Sequence, residues 1–269
     1  MLRPPVRVAS LLGLAVLLGA CKSANNPAEG SGSAPAAPQP QASAPSTPSA
    51  PDAPEIVETA AGRIALRPVH HGTVWFQAGS TVVWIDPYSE GKLDGPPADL
   101  VLVTDIHPDH YDPKGLDKVT KPGTKVIAPA VVAEKIPGAV VMKNGETRAE
   151  GALTIEAVPM YNLRRGPAEG KLFHDKGRGN GYVVTFGGKR VYFSGDTECI
   201  DEMRALEGID VAFVCMNLPY TMPVSEAAEC VKAFKPKVLV PYHYRGQKLE
   251  ALGPLLAGSG VSVHVHALY

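Results

Sequence analysis

The sequence carries no surplus of either charge. Lys and Arg number 26 and Asp and Glu number 27, a formal net charge of −1 over 269 residues. Bulk electrostatics therefore give no reason to expect a nucleic-acid partner. Nucleophile motifs are missing as well: there is no Gly-x-Ser-x-Gly and no Cys/His pair at a recognisable spacing, so no side chain stands out as a covalent nucleophile. Cysteine is scarce, at four residues. Cys199, Cys215 and Cys230 match no zinc or redox spacing, and two of them sit in apolar runs, so all three are expected to be free, mostly buried thiols. The apolar stretch Val8 to Ala20 is too short to span a bilayer comfortably.

That short stretch follows Arg3 and Arg7 and ends Leu18-Gly19-Ala20-Cys21. It resembles a bacterial lipoprotein signal over residues 1–21, in which Cys21 is lipidated after cleavage. Lys22 rather than Asp follows, which by resemblance to lipoprotein sorting favours the outer membrane. Residues 22–54 are Ala, Pro, Ser, Gly and Gln with few large apolar side chains, and are expected to form a disordered tether. At about 3.1 Å per residue its reach is on the order of 100 Å. The folded domain is expected over residues 55–269. With 45% hydrophobic and 20% charged residues overall, the chain is long enough for one sizeable core.

The domain is organised around residues 99–112. Leu100 to Val103 is an apolar run of the kind buried on both faces of a strand. It stops in a short segment holding Asp105, His107, Asp109 and His110, with Pro108 among them to forbid a continuing ladder or helix. Imidazoles and carboxylates gathered at the end of a buried strand are costly unless something binds them, and a divalent metal does so. The pattern recurs downstream. Strand-like runs deliver Gly195-Asp196-Thr197 and then Pro241-Tyr242-His243, and a polar loop over 163–180 holds His174. Strands are also expected at 56–69 around the turn Ala61-Gly62, and at 73–76, 81–85, 126–128, 140–142, 152–158, 181–186, 190–193, 211–216, 238–240 and 261–266. Helices are expected at 113–119, 131–136, 200–206, 224–234 and 247–256. Alternating strands and helices place helices outside sheets. His264 and His266 lie far from these motifs and read as structural.

Thr104 to His110 resembles the first motif of the metallo-β-lactamase superfamily, His-x-His-x-Asp-His after a strand, with Asp105 where the first His is usual. The resemblance covers about residues 60 to 269. His70-His71-Gly72-Thr73 and Asp86-Pro87 are similar to the opening hairpins of its lactonase-like branch. The family implies an α/β fold, a four-layer αββα sandwich, and a two-metal centre. In that assignment Asp105, His107 and His174 serve one divalent ion and Asp109, His110 and His243 the other. Asp196 bridges them, Asp86 buttresses the loop, and Asp109 and Asp196 are the catalytic carboxylates. Zinc is the first choice, while the oxygen of Asp105 admits manganese or iron. Three aspartates and a bridging hydroxide balance two divalent ions.

The resulting expectation is a lipid-anchored metal-dependent hydrolase outside the cytoplasmic membrane. It would act through a metal-activated water on a small molecule such as a lactone or phosphodiester. The alternative is a non-catalytic, metal-containing binding lipoprotein. His71 is expected to line the pocket. The loop at 162–178 holds Arg164, Arg165, Lys171, Lys176 and Arg178 against Glu169 and Asp175. With Arg245 it suggests an anionic substrate.

Overall fold

The structure is a computed structural model and describes residues 53–269. The signal segment with Cys21, and the expected tether as far as residue 52, lie outside the described residues. Two seven-stranded sheets are laid down one after the other. The first runs in sequence order through β1 (Glu55–Thr59), β2 (Gly62–His70), β3 (Thr73–Ala78), β4 (Thr81–Ile85), β5 (Leu100–Leu102), β6 (Lys125–Ala128) and β7 (Val140–Val141). The second runs through β8 (Thr147–Glu150), β9 (Leu153–Met160), β10 (Gly179–Phe186), β11 (Lys189–Phe193), β12 (Val211–Cys215), β13 (Val238–Tyr242) and β14 (Ser262–Val263). Each half is an antiparallel four-strand meander continued by parallel pairings.

Parallel neighbours need crossovers, and helices supply most of them. α1 (Pro113–Val119) and α2 (Ala130–Ala133) serve the first sheet; α3 (Asp201–Arg204), α4 (Val224–Phe234) and α5 (Leu252–Leu256) serve the second. Period-two alternation sorts the apolar side chains. Val83, Ile85, Leu100 and Leu102 join the core between the sheets, while Val82, Trp84, Val101 and Val103 pack outward with Leu116 and Val119 of α1 and Val132 of α2. The unbroken apolar run of β5 is thus buried on both faces, as its composition implies. Phe76 of β3 stacks on Phe193 of β11 with ring centroids 5.8 Å apart, joining the two sheets. The architecture is the four-layer αββα sandwich.

Two helices match their expected bounds, α1 and α4. α1 is capped by Asp112, whose side chain accepts the Lys114 amide, and has Pro113 in its first turn. The expected helix at 247–256 is instead a 3₁₀ turn, Leu249–Ala251, followed by α5. Pro254 has no amide hydrogen to link the two. The strand expected at 261–266 is only Ser262–Val263, and His264 and His266 leave it to hydrogen-bond Glu55 of β1 at 2.7 and 2.8 Å. β8 was not legible because its residues, Thr-Arg-Ala-Glu, are polar and mostly exposed.

The cysteine expectation needs correction. Cys199 and Cys230 form a disulfide that ties the turn after β11 to α4, and only Cys215 is free and buried among the described residues. The odd count concealed a pair separated by 31 residues. Burial pushes the Cys215 thiol up to about 12, so it stays protonated and is no nucleophile.

Candidate metal centre

Every candidate ligand leaves the end of a strand or a loop between strands. After β5 the chain turns at once, and the amides of His110 and Tyr111 both bond to the carbonyl of His107, at 3.0 and 2.8 Å. Asp196 follows β11, His243 follows β13, and His174 lies in the loop between β9 and β10. His71, Asp86 and His243 have φ of 53°, 43° and 47°. A left-handed conformation is costly for residues with a Cβ, and such residues collect at functional sites. Gly72 is needed for close approach: a Cβ there would lie 3.3 Å from the His243 ring and 3.6 Å from that of His110. Gly195, at φ 59°, would bring a Cβ within 2.5 Å of the Met160 sulfur.

Neighbouring side chains fix which ring nitrogen faces the centre. Asp86, fully buried, accepts the Thr104 amide and hydroxyl and lies 2.7 Å from His110 Nδ1. The carboxylate can only accept, so Nδ1 carries the hydrogen and Nε2 is bare. Asn162 does the same for His174. Its amide nitrogen donates to Glu198 and to the Tyr220 carbonyl, which leaves Oδ1 to accept His174 Nδ1–H at 2.7 Å. Glu198 also accepts the Arg165 amide at 2.7 Å. Asn162 and Glu198 were not singled out in the sequence. An amide and an acid in polar loops carry no signal until the fold brings them together.

The ring nitrogens that face the centre converge on Asp196. His174 Nε2 lies 3.2 Å and His110 Nε2 3.4 Å from Asp196 Oδ2, and His243 Nε2 lies 3.5 Å from Oδ1. Asp109 Oδ2 is 3.2 Å from His243 Nε2. His110 Nε2, His174 Nε2 and Asp196 Oδ1 are buried without any hydrogen-bond partner. Two ligands each about 2.1 Å from one tetrahedral ion sit about 3.4 Å apart. The spacing and the orphaned atoms therefore fit shared cations better than hydrogen bonds. Three constellations emerge: Asp105 with His107 and His174, His110 with Asp196 and His243, and His71 with Asp109 and His243. With no ion bound, the burial that would lower His110 is outweighed by Asp196, Asp109 and Asp86, which keep it protonated. The burial that would raise Asp196 is outweighed by the charges of His243 and His110, which hold its carboxyl well below the usual range. An ion would take the place of the proton on the otherwise bare His110 Nε2.

Asp105 differs from the others. Arg178 forks onto it, Nε to Oδ1 at 3.1 Å and Nη2 to Oδ2 at 2.7 Å, while His107 Nδ1 lies 2.9 Å from Oδ2. Burial alone would raise this carboxyl, but His107, the charge of His110 and Arg178 hold it at about 2. Arg178 thus neutralises one of the three aspartates in the expected charge balance.

A cavity of about 600 Å³ opens on the centre. Its lining includes the candidate ligands His107, Asp109, His174, Asp196 and His243 together with His71, Phe173, Leu218, Pro219, Tyr220 and Arg245. The basic loop does not present its charges to this space. Arg164 and Arg165 both bind Glu226 at 2.7 Å, Arg165 also binds Glu198, and Lys176 binds Glu202. Arg164, expected at the substrate, stands outside the lining; Arg245 is within it.

Residues 65–243 match the family described as the Beta-lactamase superfamily domain. The chain is 33% identical over 184 residues to a UPF0173 metal-dependent hydrolase of Pyrococcus abyssi, covering 62% of this chain and 78% of that protein. It is 32% identical over 192 residues to a UPF0173 metal-dependent hydrolase of Thermus thermophilus, covering 67% and 84%. A solved structure from Parabacteroides distasonis superposes with a TM-score of 0.77 at 39% identity, over 81% of this chain and 100% of that one. The matched span runs from β2 to the last candidate ligand, and the chain belongs to the metallo-β-lactamase superfamily.

Proposed function

We propose that this metal-dependent hydrolase uses a metal-activated water to open a lactone or cleave a phosphodiester. The observation that carries the reading is Asp196, buried among three imidazole nitrogens at 3.2–3.5 Å. Divalent ions bound there supply a water of near-neutral pKa and polarise the attacked oxygen. The chain's own residues do the rest. Asp86 and Asn162 hold His110 and His174 with Nε2 inward. Asp109, in the cavity lining, would help hold an ion and orient the water beside it. Phe173, Leu218 and Tyr220 exclude water from an apolar part of the substrate, and Arg245 attracts an anionic group.

Imidazole-rich ligation favours zinc, and the oxygen of Asp105 admits manganese or iron. With Arg178 neutralising Asp105, a second divalent ion meets less compensating charge. The position of Asp109, His110, Asp196 and His243 therefore fills first. Elemental analysis of the purified protein should give about one to two divalent ions per chain. Metal-stripped protein should lose hydrolysis of bis(para-nitrophenyl) phosphate and of a lactone panel, and regain it with zinc or manganese. Full activity after stripping ends the proposal.

The Cys199–Cys230 disulfide supports an oxidising compartment, in line with a lipid anchor at Cys21 outside the cytoplasmic membrane, the outer membrane favoured. No helix among the described residues is long and apolar enough to cross a membrane. Cys21→Ser should release the protein from membranes; unchanged membrane association would remove the anchor.

A further inference from the structure

His71 stands beside the centre with Asp109 and His243 in a three-ligand constellation. Its ring centroid is 3.7 Å from that of His243. On distance alone it is a further metal ligand. The hydrogen-bond inventory around its other nitrogen says otherwise.

His71 Nδ1 lies 2.6 Å from the hydroxyl of Tyr269, and Nε2 lies 3.0 Å from Asp109 Oδ2. The Tyr269 oxygen also receives two backbone amides, Tyr244 N–H at 3.0 Å and Arg245 N–H at 3.2 Å. A phenol oxygen has two lone pairs and one hydrogen. The two amides fill the lone pairs, so the single hydrogen must go to His71 Nδ1. A neutral imidazole that accepts at Nδ1 carries its hydrogen on Nε2. His71 therefore faces Asp109 and the cavity with an N–H, where His110 and His174 face the centre with bare nitrogens. The arrangement is held firmly. The Tyr269 ring lies edge-on to Tyr244 at 5.1 Å and to His70 at 5.6 Å, with Arg245 over its face at 5.4 Å. The His71 carbonyl accepts the amide of His243 at 2.9 Å.

We propose that His71 is not a metal ligand but a hydrogen-bond donor built into the centre, and that Tyr269 is the positioning residue that sets its tautomer. With the cavity empty of substrate, Nε2–H holds Asp109 Oδ2. With substrate bound, it donates to the oxygen of a phosphodiester or ester on which negative charge accumulates, a role that a pre-aimed donor fills without reorganisation. The catalytic part of this inference rests on the hydrolase reading; the tautomer and ligation part does not.

The test is long-range proton–nitrogen correlation NMR on zinc-loaded protein labelled in its histidine rings, with His71 assigned by its loss in His71→Gln. The expected result is His71 protonated at Nε2 and bare at Nδ1, with His110 and His174 reversed. A His71 ring protonated at Nδ1 with a metal-shifted Nε2 overturns the proposal. Elemental analysis is the second arm: His71→Ala should keep the wild-type metal content per chain, and loss of an ion overturns it. Both arms need no turnover, so they decide the assignment even if the hydrolase reading fails. Where the wild type hydrolyses bis(para-nitrophenyl) phosphate, His71→Ala should lower kcat about 100-fold with little change in KM. Tyr269→Phe should lower it roughly tenfold, as for other outer partners of a metal centre, and His71→Gln, which keeps an N–H, should recover part of the loss. Wild-type kcat in His71→Ala would refute the donor role.

Discussion

Arg178 and Asp105 show how one residue changes the meaning of another. In the sequence Arg178 belongs to a basic loop and Asp105 to a metal motif. In the fold they form a forked pair over a carboxylate with no solvent exposure. Removing one partner of a fully buried pair costs about 3–5 kcal/mol. Arg178 is partly exposed and His107 stays beside Asp105, so Arg178→Met should destabilise the metal-free protein by less, about 1–2 kcal/mol. Added zinc or manganese should restore more stability to the variant than to the wild type, because Asp105 is then free to bind an ion. Thermal melts with and without metal check this; equal metal-induced shifts would mean that Arg178 does not compete for Asp105. The motif residues themselves were legible because metal ligands cluster at fixed offsets after apolar strands. Asn162, Glu198 and Tyr269 were not, since each acts through a partner far away in the chain.

Among the elements, strands of the parallel halves were the most readable, because burial on both faces leaves an uninterrupted apolar run such as Leu100 to Val103. The short pieces at the end of the chain were less so, where Pro254 in the first turn of α5 has no amide to donate back to the preceding 3₁₀ turn. The Cys199–Cys230 link belongs to this scale as well. It fastens α4 to the turn that carries Asp196 and Glu198, and closes a loop of 31 residues. Such a crosslink contributes about 3–4 kcal/mol in the chain-entropy account. Cys199→Ser with Cys230→Ser should lower the urea midpoint accordingly. An unchanged midpoint would show that the bond is not formed in the purified protein.

Across the whole molecule, Glu55 fastens the outermost strand of the first sheet to the segment that follows the outermost strand of the second, through His264 and His266. Burial would raise its carboxyl, but the hydrogen bonds from His266 and His264 outweigh that and hold it below its ordinary value of 4.5. A depressed carboxylate contributes stability above its unfolded pKa and loses it as pH falls through the folded value. Glu55→Gln should thus cost about 2 kcal/mol at pH 7, and the gap to wild type should close in acid below pH 4.5. Denaturant titrations at both pH values measure it, and a gap that persists in acid would assign the effect to packing.

The repeated layout of the two halves has a consequence for the order of synthesis. A chain made from its N-terminus exposes Asp105, His107, Asp109 and His110 while Asp196 and His243 do not yet exist. The first half alone therefore offers part of a centre, two carboxylates and two imidazoles, with no opposite wall. Only when β13 docks against β12 does His243 arrive and the last wall close. An ion held from both sides would thus have to wait for the second half, and a filled centre would mark a chain whose second half is complete and seated on the first.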